Sequence, residues 1–70
     1  MRFTIVYEQE SDGGFVVTVP ALPGCVSQGD SRDEATRNIR EAIVAYVEAL
    51  RIAGDPVPVD VACETIEVAA

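Results

Sequence analysis

One segment fixes most of what this chain can become. Between Ser31 and Gly54, apolar residues recur at Ala35, Ile39, Ala42, Ile43, Tyr46, Val47 and Leu50, in steps of three and four. That spacing lays a continuous apolar stripe along one α-helix. The other face carries Arg37, Arg40, Glu41, Glu48 and Arg51. Both ends of the helix are written into the sequence. Ser31 is a good N-cap, and Glu34 follows three residues later as in a capping box. Asp33 and Glu34 sit where the helix dipole favours negative charge. Gly54 supplies a left-handed terminus, and Pro56 prevents the helix from resuming. In a chain of 70 residues, the stripe needs an apolar sheet face to lie on, and the remaining segments must provide it.

They read as strands. In residues 2–9, Phe3, Ile5 and Tyr7 fall on one face, and Arg2, Thr4, Val6 and Glu8 on the other. Glu10-Ser11-Asp12-Gly13-Gly14 then holds the Asp-Gly and Gly-Gly pairs of a tight hairpin. A second strand runs Phe15 to Val19, and the two should pair antiparallel. Pro20-Ala21-Leu22-Pro23-Gly24 interrupts the pattern, since two prolines remove two ladder donors. Cys25 to Gln28 forms a short third strand, and Gly29-Asp30 turns out of it. After the helix, Asp55 to Asp60 is an extended connector, and a fourth strand is expected from Ala62 to Ala69, with Ile66 and Val68 among its apolar residues. The expected fold class is α+β, in the order β-β-β-α-β, with one helix packed on a small, mainly antiparallel sheet. Residues 1–70 are expected to form a single domain.

Little in this sequence can do chemistry. Histidine is absent, which removes the commonest general base and any Cys–His pair. Cys25 and Cys63 are too few for a disulfide scaffold or a four-ligand zinc site, and they read as reduced core residues. Cys25 follows the Leu-Pro-Gly turn but lacks the positive surroundings that lower a thiol pKa. Gly13-Gly14 lacks phosphate-loop spacing and does not open a helix. Glu8, Glu10 and Asp12 cluster at a strand end and a turn, where they read as a solvated edge rather than a divalent-ion site. The four aromatics, Phe3, Tyr7, Phe15 and Tyr46, fall on apolar faces. No cofactor is expected. The formal net charge is −7, from twelve acidic and five basic residues. That sign disfavours direct nucleic-acid binding and favours a basic protein partner. The segments lack a signal-peptide core or a membrane-length apolar run, so the expectation is a cytoplasmic protein without membrane association. A core this small also gains from oligomerisation, and a homo-dimer or tetramer is expected.

The turns carry a further signal. Asp12-Gly13-Gly14-Phe15, Val19-Pro20-x-Leu22-Pro23-Gly24-Cys25, Ser27-x-Gly29-Asp30-Ser31, Glu34-Ala35 and Asn38-Ile39-x-Glu41-Ala42-Ile43 occur in that order with short gaps. This series, spanning about residues 3 to 50, closely resembles the HicB antitoxin family. The resemblance implies a β-β-β-α-β core like a degraded ribonuclease-H fold without its catalytic acids. It implies a protein-binding module that is not an enzyme and silences a HicA-like basic ribonuclease toxin by covering its active site. Asp12, Gly13, Gly14, Phe15, Pro20, Leu22, Pro23, Gly24, Cys25, Gly29, Asp30, Asn38 and Glu41 are then motif residues for fold and partner contact, with Ser31 and Glu34 as the helix cap. Leu22 is expected to plug the core. Members of the family often add a C-terminal DNA-binding region; the sequence stops at Ala70, so the expectation is a stand-alone domain without operator binding. Two alternatives stand beside this reading. One is an orphan domain that only self-associates; the other is a residual metal-dependent nuclease using Glu8, Asp12 or Asp30.

Overall fold

The first hairpin forms where its glycines allow it. In the computed structural model, which describes residues 1–69, β1 (Val6–Gln9) pairs antiparallel with β2 (Phe15–Thr18), with Gln9 opposite Phe15 and Val6 opposite Thr18. Glu10 N donates to Gly14 O at 2.7 Å and Gly13 N to Glu10 O at 2.9 Å, closing the turn. Gly13 adopts φ +93°, a left-handed conformation open to glycine at little cost. Asp12 Oδ1 accepts from Gly14 N at 2.9 Å, the side-chain turn for which aspartate is favoured. β3 (Val26–Gly29) pairs antiparallel with the far edge of β2, giving the sheet order β1-β2-β3. The first strand is therefore shorter as a ladder than its alternation suggests. Phe3, Ile5 and Tyr7 nonetheless all pack against the core on one face, while Val6 faces outward.

The helix α1 spans Arg32–Ala53, with Ser31 as its N-cap and Gly54 in the left-handed conformation at its end. Ser31 Oγ accepts from Glu34 N at 3.1 Å. The return arm of the box is shifted by one residue: Glu34 Oε1 accepts from Asp30 N at 3.4 Å rather than from the cap's own N–H. At the other end Gly54 N donates to Arg51 O and Asp55 N to Leu50 O, the paired closure of a Schellman motif.

α1 lies across β3 and β2. Val17, Val19, Leu22, Cys25, Ala35 and Ile39 form the buried cluster between the two layers. Leu22, Ile39 and Val17 are the largest side chains fully out of water, each stabilising the fold by about 1.5–3 kcal/mol. Leu22 plugs the core from the loop after β2, as its position between two prolines suggests. The helix meets the sheet most closely at Gly29. A Cβ there would sit 2.5 Å from Ala35 N and 2.9 Å from Glu34 C, so only hydrogen lets the first turn of α1 settle on the end of β3.

The expected fourth strand is not present. Residues 55–69 carry no strand, and all of them except half-buried Val57 are exposed. The described architecture is β-β-β-α. A strand needs a neighbour to satisfy its backbone, and this segment, despite its strand-favouring Thr65, Ile66 and Val68, finds none among the described residues. Cys63 lies in it and is exposed rather than buried, which corrects the reading of both cysteines as core residues; Cys25 alone is buried.

A candidate protein-binding surface

The antiparallel register sorts the motif residues to two ends of the molecule. The β1–β2 turn, the end of β3 and the first turns of α1 converge on one end. There, Asp12, Gly14, Gly29, Asp30, Glu34 and Asn38 line one shallow cleft with Glu10, Ser27 and Gln28, of about 410 Å³. Gly13 and Phe15 flank it in the turn and the β2 start. Pro20, Leu22, Pro23, Gly24 and Cys25 lie at the other end, in the loop between β2 and β3. Glu41 belongs to neither group and stands exposed on α1.

The second end is structural. Val19 N donates to Cys25 O, Leu22 N to Val19 O and Cys25 N to Leu22 O, at 3.1, 3.0 and 2.9 Å. Gly24 takes φ +82°. Tyr46 donates its hydroxyl to Pro23 O at 2.9 Å, fastening the loop to α1. Cys25 is 5% exposed, and burial pushes its thiol above the ordinary cysteine range. A thiol held protonated in apolar surroundings is a poor nucleophile, so this end offers packing rather than chemistry.

The turn end has a different character. Its cleft carries four carboxylates, Glu10, Asp12, Asp30 and Glu34, and no basic residue. Asp12 and Glu34 are each bonded to backbone N–H groups, whereas Glu10 and Asp30 stand exposed. Asn38 Nδ2 donates to Gln28 O at 2.7 Å, tying α1 to β3. The result is a small negative surface with backbone and amide groups interspersed. Among the described residues, no group of three or more Asp, Glu, Cys or His side chains is arranged to hold a metal ion; Glu8, Glu10 and Asp12 do not converge. Beneath this end, Tyr7 meets Phe15 edge-on at 6.4 Å between ring centroids, and Arg32 lies 4.6 Å above the Tyr7 ring. The Tyr7 hydroxyl is hydrogen-bonded to Thr36 Oγ1, which itself donates to Arg32 O.

Two positioning contacts had no sequence signal. Gln28 serves through its carbonyl, which any residue could offer. Asp60, placed in the connector by its prolines, accepts from Thr4 N at 2.8 Å and from Thr4 Oγ1 at 2.7 Å. Those bonds hold its carboxyl below the usual carboxylate range.

Comparisons with known proteins identify the family. A family model described as "HicB_like antitoxin of bacterial toxin-antitoxin system" matches residues 3–69. A UPF0150 protein of Thermoplasma acidophilum is 47% identical over 60 residues, covering 86% of this chain and 87% of that one. Antitoxin HicB 1 of Photorhabdus laumondii is 33% identical over 48 residues, which are 69% of this chain and 31% of that protein. Among solved structures, the N-terminal domain of Burkholderia pseudomallei antitoxin HicB superposes with a TM-score of 0.75 at 40% identity, over 93% of this chain and 74% of that one.

Proposed function

The chain belongs to the HicB-like antitoxin family, and from that premise we propose that it neutralises a small, basic, HicA-like ribonuclease by covering its active site, with no chemistry of its own. The observation that carries the proposal is the likeness to an antitoxin domain along almost the whole chain. The acidic cleft at the turn end supports it. A surface of four carboxylates without a basic residue, on a protein of net charge −7, attracts a cationic nuclease face and repels RNA from the same space. Members of this family are generally non-enzymatic, and the raised thiol pKa of Cys25 fits a side chain that packs rather than reacts. The same charge disfavours contact with a phosphate backbone, so residues 1–69 act on protein rather than on DNA. The chain works in the cytoplasm, where the toxin's RNA targets lie, and works as a self-associated dimer or tetramer.

If the proposal holds, a small basic HicA-like protein should be encoded beside this one, and co-expression of the two tests it. The expected result is a stable complex, loss of RNA cleavage and restored growth, with Glu10→Arg/Asp30→Arg weakening all three. A neighbour that cleaves RNA equally well with and without this chain would overturn it and leave the self-associating orphan domain as the surviving reading.

A further inference from the structure

The tail and a groove beside the helix answer one another. Residues 61–69 are exposed throughout, and Ile66 and Val68 leave 74% and 78% of their surfaces in water. The Cα radius of gyration is 13.9 Å, against about 11 Å for a compact chain of this length, so part of the molecule stands off its body. The base of the tail is nevertheless fixed, because Asp60 accepts two hydrogen bonds from Thr4. Next to Thr4, an open groove of about 940 Å³ runs between residues 1–5 and α1. Phe3, Ile39, Ile43 and Val47 supply its apolar wall, and Val44 on its lip is 61% exposed.

The charges around the groove oppose those of the tail. Arg2, Arg40 and Arg51 line it, three of the five cations in the chain, against the single acid Glu48. The tail beyond Asp60 carries Glu64 and Glu67 and no cation. The groove also borders the edge of the sheet at which β1 has no neighbour, and an unpaired edge offers backbone donors and acceptors to an added strand.

We infer that residues 62–69 of one copy lie in the groove of a second copy and the reverse, closing a two-fold dimer in which each tail becomes the strand its own chain leaves unpaired. A surface carrying both the tail and the groove is self-complementary, as a two-fold interface requires. At a net charge of −7, two copies repel over most of their surfaces. The arginine-lined groove is where an acidic, apolar segment gains attraction, and that local complementarity selects the face. This inference rests on the self-association proposed above and is independent of the toxin.

Sedimentation of the full chain at micromolar concentration should give twice the mass of one chain. Ile66→Asp/Val68→Asp should convert it to a monomer that keeps the helical circular dichroism signal and loses only strand signal, because both side chains are exposed in the single chain and the tail carries no strand there. In Val44→Cys, a short thiol-to-thiol cross-linker should join position 44 of one chain to Cys63 of another, located by mass spectrometry of the linked peptides. A monomeric wild type overturns the inference, as does a 44–63 link within one chain or no such link. A dimer that persists in the tail variant keeps the self-association and overturns this account of it.

Discussion

Gly13 sits in a turn and Gly29 ends β3, and different requirements hold glycine at each. At Gly13 the requirement is conformational: φ is +93° and a Cβ would meet nothing within 4 Å. At Gly29 it is spatial, since a Cβ would be driven into the backbone of Glu34 and Ala35. Gly13→Ala should cost about 1–2 kcal/mol, the ordinary penalty of a left-handed alanine. Gly29→Ala should cost about 1–3 kcal/mol, because neither β3 nor the first turn of α1 can move without displacing the other. Urea denaturation should read both losses, and amide hydrogen exchange should show that Gly29→Ala alone also lowers the protection of the Ala35 amide. Asp60 gives a second residue-scale expectation. Its carboxyl is held below the usual range by Thr4, so the stabilisation is fully present above the unfolded value, about 3.9, and is lost as pH falls through the lower folded value. Acid titration followed by NMR should therefore show the Thr4 amide shifting only below about pH 4, and Asp60→Asn should remove that transition. The sequence announced Gly13 through its neighbours Asp12 and Gly14. It could not announce that Gly29 faces helix backbone or that Asp60 finds Thr4, because both contacts join segments far apart in the chain.

Elements were legible in proportion to how far their signals were local. The helix stripe, its Ser31 cap and its Gly54 terminus are all set by neighbours within a few residues, and α1 forms within the bounds they mark. Ser31→Ala should cost about 1 kcal/mol of stability, read as a lowered midpoint in thermal denaturation. The loss should not be rescued by Glu34, which bonds Asp30 rather than the cap residue's own N–H. The strands were legible in face but not in length, because Phe3 and Ile5 take their inward positions without ladder partners. The segment 62–69 has a strand's composition and no strand in the single chain. A ladder is a property of two segments, and composition reports on only one. For the same reason the candidate surface was half legible: the order of the motif residues was plain, but their sorting into a structural end and an acidic end depends on the register of the sheet.

At the scale of the whole molecule, charge sets the terms of association. Between 0.1 M and 1 M salt the screening length falls from about 10 Å to about 3 Å. The association rate with a basic partner should drop by roughly tenfold or more across that range, with a smaller change in dissociation, measurable by stopped-flow. A rate indifferent to salt would mean that the acidic cleft does not guide the encounter. The loop between β2 and β3 has a different bearing on the molecule. Val19 and Cys25 are joined by a hydrogen bond one rung beyond the Thr18–Val26 pair, so the chain leaves the sheet and re-enters it without advancing. What happens between those two residues is invisible to the rest of the ladder. Provided Leu22 still reaches the core and Tyr46 still finds a carbonyl, the excursion is a cassette: a longer or foreign segment can be spliced between Pro23 and Cys25 without rethreading a single strand.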